Sequence, residues 1–133
     1  MKFKTFYKIF LFVAVATALA DYFITQMGFK TFIPLFEANP YIRLLMRWFS
    51  PFLASTILFL ITLVLILGAY KLSTSYFNAE PYNGHLKDVW NYLTKSGTVK
   101  GRDLIIFATI ALYIIFIHMH LTGFISWLRL FMM

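Results

Sequence analysis

Three ionisable side chains carry the only chemistry that this sequence suggests: Asp21, Glu37 and His118. Asp21 and His118 each stand inside a long apolar run, and Glu37 lies between two such runs. Two carboxylates and an imidazole could bind a metal ion or hand on a proton. Equally, an acid and a base could hold helices together, with Arg43 or Arg47 as other bases for Asp21 or Glu37. The metal reading is poorly equipped. His120 cannot join His118 as a second ligand, because residues two apart on a helix point about 200° apart. No His-x-x-x-His or Glu-x-x-His spacing occurs. Nor is a catalytic motif visible: Ser55 and Ser126 lack the Gly-x-Ser-x-Gly setting, and no glycine-rich loop could cradle a phosphate. With no cysteine, thiolate chemistry is excluded. No cofactor is expected.

The elements that position these groups follow from composition. The chain has 133 residues, 61% of them hydrophobic and only 13% charged. A soluble domain of this size has too much surface to hide that apolar content, so its solvent is lipid. Spanning a hydrocarbon core of about 30 Å takes roughly 20 helical residues. Three segments qualify, near 6–27, 51–70 and 104–128. The expected fold is therefore all-α, an integral membrane domain of three transmembrane helices. The net charge of +7 is scattered around these spans, which suits anionic headgroups rather than nucleic acid.

Ala18-Leu19-Ala20 resembles the cleavage site of a secretory leader. However, Tyr22, Phe23, Ile24, Met27 and Phe29 continue the apolar run beyond it. A retained first helix is the expectation, and Asp21 is then a carboxylate within a membrane span. Lys2, Lys4, Lys8, Lys71, Lys87, Lys95, Lys100 and Arg102 fall on one side of the membrane. Lys30, Arg43, Arg47 and Arg129 fall on the other. The positive-inside rule then predicts a multi-pass protein of the plasma membrane, amino terminus cytoplasmic and carboxyl terminus outside.

In the outer connection, Asn39-Pro40 and Ser50-Pro51 each pair an N-cap residue with a proline at the first helical position. Either one long helix starts at Pro40 and kinks at Pro51, or a short interfacial helix precedes the second span. Arg43 and Arg47, one turn apart, face either headgroups or the acids. The inner connection, 72–103, carries turn signals at Glu80-Pro81, Asn83-Gly84 and Ser96-Gly97. Within it, residues 85–94 predict a short amphipathic helix with Leu86, Val89, Trp90 and Leu93 on one face. That face suits the membrane surface or a partner's soluble domain.

A charge at mid-membrane costs at least about 2.5–3.5 kcal/mol, so such residues face the protein interior and find partners. Ala14, Ala18, Asp21, Thr25 and Gly28 form a stripe of small and polar residues along the first span. Ala108, Ala111, His118, Thr122 and Ser126 form a similar stripe on the third. From a rise of about 1.5 Å per residue, Asp21 lies about 22 Å from the inner side and His118 about 21 Å. The two stripes are expected to pack together, with Asp21 near His118 and the inner half almost purely apolar. His120, near Tyr113, Gly123 and Trp127, is expected at the interface or in a helix contact.

The run DYFITQMG followed by EANP resembles a family of small prokaryotic, often archaeal, membrane proteins with three or four helices and no known function. Their pattern is Asp-x-x-x-Thr in the first helix, a glycine, then Glu-x-Asn-Pro opening the second, matched here by Asp21, Thr25, Gly28, Glu37, Asn39 and Pro40. The match covers about twenty residues. The long aromatic inner loop and the two histidines of the third span lie outside it. The resemblance implies that Asp21 and Glu37-x-Asn39-Pro40 form one unit, and it implies no activity. The function expected from the sequence is an accessory or structural subunit of a larger membrane complex, or a homo-oligomer, locked by an outer polar cluster. The alternative is a small ligand-, ion- or metal-handling membrane protein using Asp21, Glu37 and His118.

Overall fold

A computed structural model describes residues 1–32, 36–95 and 97–133. Its helices are α1 (Phe3–Thr31), α2 (Pro40–Leu45), α3 (Pro51–Thr74), α4 (Leu86–Lys95) and α5 (Gly101–Met132). The fold is all-α, and α1, α3 and α5 are each long and apolar enough to cross a membrane. At about 1.5 Å per residue, the 29 residues of α1 and 32 of α5 run to about 44 and 48 Å. Both exceed the hydrocarbon thickness, so each outruns the expected span at both ends.

Both proline pairs start helices. The Asn39 side-chain oxygen accepts from the Tyr41 amide at 3.0 Å, with Pro40 following at the first helical position. Ser50 Oγ accepts from the Leu53 amide at 3.3 Å, ahead of Pro51. The chain turns through 46–49 between them, so a separate short helix precedes the second span. Ile33, Pro34 and Leu35 of this connection, and Ser96 of the turn signal in the other, lie outside the described residues. Gly97, next to Ser96, takes a φ of 61°, a conformation that glycine adopts without steric cost.

α1 packs chiefly on α5 and secondarily on α3. Its buried positions include Ala14, Ala18, Asp21, Thr25 and Gly28, the small and polar stripe read from the sequence. Two apolar cores result. One gathers Phe3, Tyr7, Phe77, Tyr82, Ile106 and Tyr113 at the end of the bundle that holds α4. The other gathers Phe29, Ile42, Ala54, Leu58 and Trp127 at the α2 end. α4 docks on the first core through buried Val89 and half-buried Leu86 and Leu93, leaving Trp90 68% exposed. Its apolar face is thus partly spent on its own bundle. The amino terminus is stitched to the same loop, with the Phe3 amide donating to the Gly84 carbonyl and the Leu86 amide to that of Met1.

The half expected to be apolar is not. Tyr7 Oη donates to Ser73 Oγ and lies 2.8 Å from it and from Thr109 Oγ1. Ser73 and Thr109 are 3.0 Å apart, and Tyr113 Oη reaches the Ile66 carbonyl at 3.3 Å. Single hydroxyls in apolar runs gave no charge signal, yet here four of them satisfy one another in the interior.

Candidate functional site

Between the two cores lies a polar layer centred on Asp21. Its Oδ2 is 2.7 Å from His120 Nδ1, and both side chains are buried. His120 Nε2 lies 3.2 Å from Thr62 Oγ1 on α3. Thr25, one turn after Asp21, donates to Asp21 Oδ1 at 3.3 Å. Three helices therefore converge on one carboxylate–imidazole pair. Two proton placements satisfy every bond. A neutral imidazole donates from Nδ1 to the carboxylate and accepts the Thr62 proton at Nε2. An imidazolium donates from both nitrogens.

Close helix approach makes this geometry possible. Gly123 of α5 faces Asp21, and a Cβ there would come 2.5 Å from Oδ1. Gly28 of α1 is pressed against the Trp127 ring in the same way. Such contacts are what small residues permit between membrane helices.

A second tier sits one to two turns further along α5. Trp127 Nε1 donates to Glu37 Oε2 at 3.0 Å, and the Asn39 amide donates to Glu37 Oε1 at 2.7 Å. Asn39 then caps α2, so the indole, the carboxylate and the cap form one continuous chain. Burial pushes the Glu37 carboxyl above its ordinary range, and the Asn39 and Trp127 donors and the nearby negative Asp21 act in smaller measure, the donors downward and Asp21 upward. Phe29 packs edge-on against Trp127 with ring centres 5.5 Å apart.

The structure brings together Asp21, Thr25, Glu37 and Asn39 from the residues singled out in the sequence. It corrects three others. His118 is exposed on the far side of α5, and the base that meets Asp21 is His120. Arg43 and Arg47 are also exposed, and neither forms an ion pair among the described residues. Ile42 takes the inward position on α2, which turns Arg43 outward. Depth alone cannot choose between the two histidines: α1 and α5 both start three residues before the expected 6 and 104, so their relative level is unchanged, and the face of α5 decides. Counted from Phe3 and Gly101, Asp21 and His120 lie about 27 and 28 Å along their helices, side by side.

The packed face of α5 is accordingly not the expected one. It runs through Thr109, Tyr113, His120, Gly123 and Trp127, while Ala108, Ala111, His118 and Thr122 are exposed. Thr62, His120, Gly123 and Trp127 are the members of the site that sequence reasoning left out. For the three on α5 the signal was available: a glycine and an indole N–H at helical spacing from a histidine mark a face meant for protein rather than lipid.

Thr62, His120 and Asp21 share the connectivity of a hydroxyl–imidazole–carboxylate triad. The space around this arrangement is small. The cavity beside Asp21, Thr25, Ser55 and His120 measures about 10 Å³, which admits about one water molecule. Thr62 is fully buried, so no substrate reaches its hydroxyl. No group of three His, Asp or Glu side chains converges on a common point among the described residues. What the arrangement shows is buried polar groups of α1, α3 and α5 that satisfy one another. Comparison with protein-family descriptions, with curated proteins and with solved structures finds no match to this chain.

Proposed function

We propose that this chain is an accessory or structural subunit of a larger membrane assembly, its three spans held by the Asp21–His120–Thr62 layer and the Glu37–Trp127 tier. In this reading Asp21 and Glu37-x-Asn39-Pro40 act as one unit, joined through successive turns of α5. The protein spans the plasma membrane with its amino terminus in the cytoplasm, in keeping with the distribution of its basic residues.

The observation that carries the proposal is His118. It is an imidazole well inside a membrane-length helix, exposed, with no side-chain partner among the described residues. Polar side chains at that depth are costly in lipid and face protein. Ala108, Ala111 and Thr122 are exposed on the same side, and Thr122 returns its hydroxyl to the His118 carbonyl at 2.8 Å. Small residues thus flank one polar side chain on a face that also exposes Ile114, Ile115, Leu121 and Ile125, and small and polar positions are where membrane helices approach each other. The alternative of ligand, ion or metal handling by Asp21, Glu37 and His118 together has no comparable support, since His118 turns away from the other two.

The absence of native cysteine makes the test direct. Single cysteines at Ala111 or Thr122 are expected to cross-link to a neighbouring subunit in native membranes. A cysteine at Val64, 70% exposed on α3, serves as the comparison. Equal or absent cross-linking at Ala111 and Thr122 relative to Val64 would contradict the proposal.

A further inference from the structure

At the α4 end of the bundle, a cleft of about 470 Å³ opens between the turns that follow α3 and the start of α5. Its lining combines Lys100 and Arg102 with Glu80 and Asp88, and includes Tyr92 and Asn83. Because α3 ends at Thr74 and α5 starts at Gly101, the cleft lies where the apolar spans give way to polar loops. That is the depth of lipid headgroups.

The cations in this cleft are under-used. Arg102 donates from Nη2 to the Glu80 carbonyl at 2.7 Å, but its buried Nε has no hydrogen-bond partner. The nearest carboxylate, Asp103, is 3.8 Å away and already accepts from Tyr82 at 2.6 Å, Tyr92 at 3.1 Å and the Lys100 amide at 2.9 Å. A guanidinium has five donors in a fixed fork that matches phosphate oxygens. Lys100 adds a second, exposed positive charge. On the acid side, Asp88 Oδ2 accepts from the His85 amide at 2.9 Å, which fixes it in place. The Glu80 carboxylate has no partner among the described residues.

From this pairing of charges we infer that the cleft binds a phosphoethanolamine headgroup, its phosphate on Arg102 and Lys100 and its primary ammonium on Glu80 and Asp88. The volume falls in the range of small-molecule sites. A purely anionic headgroup would meet two carboxylates with no cation to offer them. A choline headgroup has no N–H for those carboxylates, and the cleft has one tyrosine rather than the aromatic cage that binds quaternary ammonium. The same chemistry could come from a membrane lipid or from a soluble phosphoethanolamine ester.

Native mass spectrometry of the full chain in detergent tests this, with phosphatidyl-ethanolamine, -choline and -glycerol of identical acyl chains, and with soluble glycerophosphoethanolamine. The ethanolamine lipid should be retained about tenfold more strongly than the other two, the scale set by one charge-assisted hydrogen bond. Arg102→Gln and Lys100→Gln should each lower its retention towards that of the choline lipid. Lys100 is exposed, so its variant reads the site even if Arg102→Gln disturbs folding. Glu80→Gln with Asp88→Asn should erase the preference for ethanolamine over glycerol. Binding of glycerophosphoethanolamine as tight as that of the lipid assigns the site to a soluble ester; retention of the lipid alone assigns it to the membrane. Equal retention of choline and ethanolamine lipids, or unchanged retention in Lys100→Gln, would overturn the inference.

Discussion

Asp21 Oδ2 and His120 Nδ1 lie 2.7 Å apart across 99 positions of sequence, and the pair ties α1 to α5 with Thr62 of α3 completing the layer. Removing one member of such a buried pair strands the other, at a cost of about 3–5 kcal/mol. Asp21→Leu and His120→Leu should therefore each lower the melting temperature in detergent strongly. The double variant should be more stable than either single one, because no unpaired polar group is left. His118→Leu should leave the melting of the isolated chain nearly unchanged. A double variant as unstable as the sum of the singles would count against direct pairing.

How much of this could be read in advance depended on the helix. On α1 the stripe from Ala14 to Gly28 was legible, since small and polar residues in an otherwise bulky run have no reason to face lipid. On α5 two faces competed, each with a histidine and small residues. His118 and His120 point about 200° apart, so only one could turn inward. Nothing local to the histidines decided between them. Gly123 and Trp127 did, because a bare backbone admits Asp21 and an indole N–H needs Glu37. Thr62 was invisible because a single hydroxyl gains meaning only once its partner is placed. The short α2 was half legible: its cap and proline marked where it starts, but the turn at 46–49 that separates it from α3 has no comparable marker.

Gly123→Ala tests the closeness of α1 and α5. The added methyl would press on the Asp21 carboxylate, and overpacking of this kind costs about 1–3 kcal/mol. At Gly68 a Cβ meets nothing within 4 Å, so Gly68→Ala should be neutral or stabilising by up to about 1 kcal/mol from helix propensity. Thermal melts of the two variants should move in opposite directions or differ clearly. Similar losses in both would point to a general intolerance of α-carbon substitution instead.

Glu37 should give stability a pH dependence. Its carboxyl titrates above the ordinary value of 4.5 in the folded chain, through burial. The folded state thus holds a proton that the unfolded state has released, so stability from this group falls as pH rises from about 4.5 through the folded value, then levels off. Melting temperatures of the wild type and Glu37→Gln across that window should show a slope that the variant lacks. The variant should also be less stable at the low end, because one amide N–H₂ must face the Trp127 or Asn39 donor. Identical slopes in both proteins would remove Glu37 as the source.

Tyr7→Phe probes the hydroxyl cluster at the other end. It deletes the group that reaches Ser73, Thr109 and Tyr113 at once, and loss of a buried hydrogen-bonding hydroxyl costs about 1–3 kcal/mol. Thr17→Val, whose hydroxyl only returns to its own helix at 2.9 Å, should cost much less. Equal melting shifts would show that the cluster adds nothing beyond its packing.

The assembly claim rests on the face of α5 that carries His118, and mass in mild detergent tests it most directly. A monomer weighs 15.6 kDa. Affinity-purified wild-type chain should travel in a particle containing at least one further polypeptide, and His118→Leu should release it as a folded monomer with unchanged melting. Wild-type protein recovered as a lone 15.6 kDa chain, or a His118→Leu particle indistinguishable from wild type, would contradict the account.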